Sequence, residues 1–278
     1  MTAQPKLSDN EFNQLSKLVY EECGNKMPPA KKILLESRLH KRLRALNMQS
    51  FKDYLLYLTG KDGMTNELVH MIDVVTTNKT DFFREAGHFE YLTRNVLPQL
   101  VQTGNNRVNI WSSACSSGEE PFTLAMVMDD YIRKNPRLDY TIFASDISTK
   151  VLEKAALAVY PIKHAEDIPI EFRKKYLLKS KEKDNPTIRI VPELRRKVRF
   201  ARVNLMETLP FDEKFDIIFC RNVLIYFDRP TQLHVVGNLA GKLKKGGHLF
   251  IGHSESLFQM DLPITQVAPT IYVKKQLK

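Results

Sequence analysis

No run of apolar residues in this chain approaches the roughly 20 needed to span a bilayer, which excludes an integral membrane protein of the helical kind. The first dozen residues, Met1 to Phe12, are polar and mixed in charge, unlike a secretory or transit leader. A cytoplasmic protein with no direct membrane insertion is the expectation. The only cysteines, Cys23, Cys115 and Cys220, are far apart and odd in number, with no Cys-x-x-Cys or histidine spacing. That excludes a disulfide framework and a structural zinc site, and no metal is expected. Cys115 and Cys220 each fall near the end of a predicted strand, as small buried residues or, less ordinarily, as nucleophiles. Internal repeats and low-complexity tracts are missing too. So is a Gly-x-Gly-x-x-Gly turn, the device that brings backbone close to a pyrophosphate at a helix N-terminus.

What is present is length and positive charge. A chain of 278 residues can bury about 75% of the surface that it exposes when unfolded, enough for a core without cross-links. The 42 basic residues exceed the 32 acidic ones by ten, which points to an anionic partner. Lys31, Lys32, Arg38, Lys41, Arg42 and Arg44 face a single nearby acid, Glu36. A second basic cluster runs from Arg173 to Arg202.

The first 75 residues predict short helices. Ser8-Asp9-Asn10-Glu11 is a capping-box pattern, followed by Phe12, Leu15, Leu18 and Val19 at helical spacing. Pro28 and Pro29 precede a second helix with Ile33, Leu34, Leu39 and Leu43 on one side; Phe51–Leu58, opened by Ser50, and Leu68–Val75 give two more. From Val108 the pattern alternates between strands (108–114, 141–147, 198–204, 215–220, 247–252) and helices (119–133, 149–159, 230–243). A mostly parallel sheet covered on both faces follows, with its ligand outside the carboxyl ends of the strands. The polar, proline-punctuated stretch from about 161 to 197 is too long for a loop. Its alternating run Thr187–Val191 marks an inserted subdomain with β-structure.

The chemistry concentrates where strands end. After the first strand comes "WSSACSSGEEPF", with Gly118 alone and then two acids, Glu119 and Glu120. Acids at a helix start suit its dipole, repel phosphate and attract a cation; S-adenosylmethionine, which has no phosphate and carries a sulfonium and an ammonium, fits them. Asp146, 28 residues after Gly118 at the end of the second strand, can accept from both ribose hydroxyls, or cap the next helix. After the fourth strand, "FCRNVLIYFD" lacks the Asn/Asp-Pro-Pro-Tyr block with which many base and glutamine methyltransferases hold a neutral NH₂. It offers instead a cation, Arg221, and a phenol, Tyr226. Between the two halves, "VVTTNKTDFFRE" is too rich in adjacent threonines and paired aromatics for a flexible linker. It is either a capped, packed element opened by Thr80 or a lid over the site.

Five blocks in order, "VVTTNKTDFFRE", "WSSACSSGEEPFTLAM", "FASDIS", "FCRNVLIYFD" and "GGHLFIGHSESL", resemble the chemotaxis receptor methyltransferase (CheR) family from about residue 10 to about 275. The resemblance implies an all-α N-terminal domain (1–75), a linker that contributes to the cofactor site (76–90) and a Rossmann-like methyltransferase domain (91–278) with a small inserted β-subdomain. It implies methyl transfer from S-adenosylmethionine to glutamate side chains in the cytoplasmic domain of methyl-accepting chemotaxis receptors, giving methyl esters and S-adenosylhomocysteine. It places cofactor contacts at Asn78, Thr80, Arg84, Glu120, Asp146, Asn204, Leu205, Arg221 and Asn222, with Arg84 and Tyr226 near the transferred methyl; the residues themselves add that a cation such as Arg221 can align a carboxylate. Phe122 stands where the family commonly has tyrosine, and Ser113, Cys115 and Ser117 are small-residue variants of the turn. Some members dock a short receptor peptide through the insert and others do not. Nothing in the sequence demands more than a monomer. The rival readings, a nucleic-acid methyltransferase or a non-catalytic S-adenosylmethionine sensor, are favoured respectively by charge alone and by no residue pattern.

Overall fold

The computed structural model describes residues 4–104 and 106–275. Helix α1 (Asp9–Cys23) starts at the capping box: Ser8 accepts from the Glu11 N–H while the Glu11 carboxylate accepts from the Ser8 N–H. It ends at Gly24, whose φ of 70° gives the left-handed cap. Phe12, Leu15, Val19 and Cys23 form its buried stripe. Helices α2 (Lys32–Ala45), α3 (Phe51–Thr59) and α5 (Leu68–Val75) close a core with α1, and α4 (Lys61–Asn66) joins α3 to α5. In α2 the buried residues are Leu35, Leu39 and Leu43. Ile33, expected on that face, is 80% exposed, and Leu34 is exposed as well. Three consecutive apolar residues cannot share one helix face, and only Leu35 lies four residues before Leu39.

Beyond the linker, α6 (Gly87–Tyr91) and α7 (Leu97–Gln102) flank a wide turn of π-helix, Leu92–Val96. A seven-stranded sheet follows: β1 (Arg107–Ser112), β2 (Asp139–Asp146), β6 (Val198–Arg202), β7 (Phe215–Cys220), β8 (Leu243–Ile251), β9 (Ile264–Ala268) and β10 (Ile271–Lys274), in the order β6-β2-β1-β7-β8-β10-β9. The first five in that order are parallel; β10 is antiparallel to β8, and β9 to β10. Helices α8 (Glu119–Lys134), α9 (Thr149–Leu157) and α12 (Arg229–Lys242) connect the strands. Every residue of β7 is buried, as covered faces require of a central parallel strand. Connections leave β1 in opposite directions, towards β2 and towards β7, so the crevice opens at the carboxyl ends of these strands.

The inserted segment is a separate antiparallel sheet, β3 (Val159–Pro161), β5 (Thr187–Ile190) and β4 (Leu177–Lys179), with short helices α10 (Ile170–Tyr176) and α11 (Pro192–Arg195). Helix α9 was expected to run through Val159 but stops at Leu157. Ala158 takes a left-handed φ of 53°, and the β-branched Val159 starts the first strand of the insert. The linker does not open a helix at Thr80. Residues 82–86 turn instead, with left-handed Phe83 and Glu85 (φ 53° and 56°), and Phe82 is buried in the core of the main sheet.

Candidate active site

Six segments converge on one cleft: the turn after α1, the linker, the turn after β1, the end of β2, the loop after β6 and the loop after β7. The cleft encloses about 980 Å³, open solvent at its mouth included, and Asn78, Thr80, Arg84, Glu120, Asp146, Asn204, Leu205, Arg221, Asn222 and Tyr226 all line it. The structure thus brings together all ten residues at which the resemblance places the cofactor and the transferred methyl.

Arg221 organises the cleft. Its side chain is almost wholly buried against the stacked rings of Phe89 and Phe219 (5.7 and 5.9 Å), and its donors are spent within the protein. Nη1 donates to Glu120 Oε2 at 2.9 Å, Nη2 to Glu85 Oε2 at 2.9 Å, and Nη2 also to the Arg84 carbonyl at 2.5 Å. Glu85 in turn accepts from Asn222 Nδ2 at 3.1 Å. Burial alone would raise the Glu85 carboxyl, but Arg221 and Asn222 hold it down at about 2. His88 and His253 lie 3.5 and 3.9 Å from the same carboxylate oxygen that Arg221 holds. A guanidinium at 2.9 Å opposes a second cation there. Burial, with Arg221 nearby, lowers His88 to about 4, so this imidazole is neutral at ordinary pH.

The two acids at the start of α8 part company. Glu120 faces the cleft, its Oε1 accepting from Ser112 Oγ at 2.6 Å. Glu119 turns to the insert, accepting from Ser117 Oγ at 2.7 Å with His164 Nδ1 at 3.5 Å; burial raises it to about 7. Only one of the pair lines the cleft, because consecutive helical residues point about 100° apart. Asp146, 7% exposed, is braced by the backbone N–H groups of Ser116 (2.9 Å) and Ser148 (3.0 Å). Burial raises its carboxyl despite those bonds.

Asn204 ties the loop after β6 to α1: its Nδ2 donates to the Glu22 carbonyl at 2.7 Å. Asn222 is left-handed (φ 59°) and packs so tightly on Gly252 that a Cβ there would lie 2.5 Å from Asn222 Nδ2. Glu255 fixes the same loop by accepting from the N–H groups of Asn222, Ile225 and Gly252 at 3.1, 3.3 and 2.5 Å. That loop presents Tyr226, whose hydroxyl has no hydrogen-bond partner among the described residues. Arg84 donates to the Lys79 carbonyl at 3.1 Å and pairs with no carboxylate among the described residues. From the N-terminal domain, Arg38 bonds the Val75 carbonyl and, at 2.9 Å, Thr77 Oγ1, so α2 pins the start of the linker. Cys115 and Cys220 are buried, with thiols pushed far up by desolvation, and take no nucleophilic part.

Sequence reasoning missed Glu85, Ser112, Glu255 and Asn25. Glu85 and Glu255 lie inside blocks that were singled out, but which charge a buried acid meets is decided by long-range packing. The donor set fits S-adenosylmethionine: a buried carboxylate past one strand for a ribose diol, a second acid past its neighbour for an ammonium, no phosphate cradle, and an orphaned buried amide oxygen on Asn25 awaiting a donor.

Comparisons agree with this geometry. The SAM-binding domain of CheR methyltransferases matches residues 78–273, and the all-alpha domain of the same family residues 10–76. A chemotaxis protein methyltransferase of Borreliella burgdorferi is 36% identical over 275 residues, covering 96% of this chain and 95% of the relative. One from Escherichia coli K12 is 35% identical, covering 98% and 93%, and a probable one from Rhizobium etli 37%, covering 86% and 89%. With both of its domains matched, the chain belongs to the CheR family of S-adenosylmethionine-dependent methyltransferases.

Proposed function

We propose that the chain methylates glutamate carboxylates in the cytoplasmic domain of chemotaxis receptors, forming glutamyl methyl esters and S-adenosylhomocysteine. The observation that carries this reading is the pair Arg84 and Tyr226. Both line the cleft, and among the described residues the guanidinium of the first pairs with no carboxylate and the phenol hydroxyl of the second has no hydrogen bond. An anionic acceptor suits such a pair, and a neutral amine does not. The near relatives are named for chemotaxis.

S-adenosylmethionine supplies a methyl group on a sulfonium, which passes to a carboxylate oxygen as the sulfur becomes a neutral thioether. Asp146 holds the ribose hydroxyls, Glu120 the ammonium, and Asn78, Thr80, Asn204, Leu205 and Asn222 complete the walls. Arg221 acts as a positioning residue: with its donors committed to Glu85, Glu120 and the Arg84 carbonyl, it sets Glu120 and the linker in place. Arg84 and Tyr226 align the acceptor. A glutamate of ordinary pKa, about 4.3, is already ionised at neutral pH, so no general base is required. Orientation and partial desolvation of the carboxylate lower the barrier.

The domain division that goes with this reading is 1–75, 76–90 and 91–278, and the protein acts as a cytoplasmic monomer without nucleic acid. No described helix is long and apolar enough to cross a membrane. The test is incubation with methyl-labelled S-adenosylmethionine and receptor-bearing membranes, followed by mild base. Volatile label, released as methanol, is the expected result. Base-stable label would mean N-methylation and overturn the reading, and cofactor binding with no label on any receptor would favour a sensor.

A further inference from the structure

One buried polar atom of the cleft has no partner among the described residues. Asn25 lies in the turn after α1, is 6% exposed and lines the cleft, and its Oδ1 is buried with no hydrogen bond. An acceptor left in that state costs about 1–3 kcal/mol, so a ligand that brings a donor gains from it. The turn is held on both sides. The Glu22 carbonyl accepts from Asn204, and the Lys26 N–H donates to the Tyr226 carbonyl at 2.9 Å. Gly24, with φ 70°, sits so close to the loop after β6 that a Cβ would meet Met206 Sδ at 2.6 Å. Asn25 therefore cannot drift from the wall that it forms.

Its place along the cleft identifies the ligand atom. Strand order runs β7, β1, β2, β6. Glu120 follows β1, Asp146 ends β2, and the Asn204 segment that clasps the Asn25 turn follows β6. With the amino-acid end of the cofactor at Glu120 and the ribose at Asp146, the base lies towards β6 and the turn. We propose that Asn25 reads the adenine base, its Oδ1 accepting from the exocyclic amino group. The all-α domain thereby contributes a specificity-determining residue to the cofactor site. Rotation of the amide about its soft terminal torsion turns the acceptor to the base. The inference rests on the cofactor placement proposed above.

The test uses calorimetric Kd values of the full chain for S-adenosylhomocysteine and for its analogue with unsubstituted purine in place of adenine, which lacks only the amino group. Wild type should bind the purine analogue about tenfold more weakly. In Asn25→Ala the ratio of the two Kd values should fall to about one, and in Asn25→Asp, which keeps an acceptor, it should stay above one. A ratio near one in wild type, or an unchanged ratio in Asn25→Ala, overturns the assignment, and the ratio is insensitive to partial misfolding. Asp146→Ala separates the two layers: it should weaken both ligands alike. If it weakens neither, the cofactor placement fails, and the reading of the base fails with it.

Discussion

At the scale of single residues, the cleft divides side chains that hold the cofactor from side chains that face the acceptor. Asp146 is braced by two backbone N–H groups and buried, so its carboxylate is pre-formed for a diol. Asp146→Ala should weaken S-adenosylhomocysteine binding at least tenfold, about 1.4 kcal/mol or more. Tyr226→Phe should leave that Kd unchanged and lower kcat; an equal loss of binding in both variants would contradict the division. Glu85→Gln is the sharper case. It leaves Arg221 buried beside a neutral amide, and the unpaired charge then falls on Glu120 alone. Removing one partner of a buried ion pair costs about 3–5 kcal/mol. We expect a lower Tm and weaker cofactor binding, although Glu85 is not among the cofactor-holding groups.

At the scale of elements, the join between α8 and the insert is sensitive to pH. Glu119, raised to about 7 by burial, is packed against Ser117, His164 and the insert's Tyr160, whose hydroxyl donates to the Ser117 carbonyl at 2.9 Å. A carboxyl raised in the folded state binds its proton more tightly there than when unfolded. Stability is therefore fully retained below about 4.5 and falls as pH rises from there through about 7. Glu119→Gln should remove that slope. Its Tm should exceed that of wild type at pH 8 and match it at pH 5, and parallel pH profiles would refute the origin assigned to it.

Elements were legible in the sequence where a local rule fixes them. The Ser8 capping box, the Ser50 cap and the β7 run, apolar at every position but Asp216, each carry their own signal. The insert was legible only as an interruption, because β3 and β4 are three residues each and pair with β5 across long separations. The site was legible as blocks and not as contacts. That Glu119 and Glu120 face different partners, and that Arg221 is spent on Glu85, follow from tertiary packing that no local pattern encodes.

At the scale of the whole molecule, the excess of ten positive charges invites an account by steering, but the basic helix α2 is not a free surface throughout. Arg42 makes two hydrogen bonds of 2.7 Å to Glu67, which is buried and also accepts from Tyr54, and Arg38 is committed to the linker. The expectation that the basic cluster from Lys31 to Arg44 as a whole faces an anionic partner is thus corrected: Arg38 and Arg42 hold the fold. Arg42→Glu would place a second carboxylate beside a buried one and should unfold the N-terminal domain at lower temperature. Lys41 and Arg44 are exposed, and neither makes an ion pair among the described residues. Charge steering by exposed groups acts on association and is screened over about 8–10 Å at ordinary salt. Reversing Lys41 and Arg44 to Glu should therefore raise the KM for receptor several-fold at low ionic strength, leave the Kd for S-adenosylhomocysteine unchanged, and lose its effect near 0.5 M salt. A KM unmoved at low salt would show that the basic excess serves the fold and solubility, with the acceptor found by other contacts.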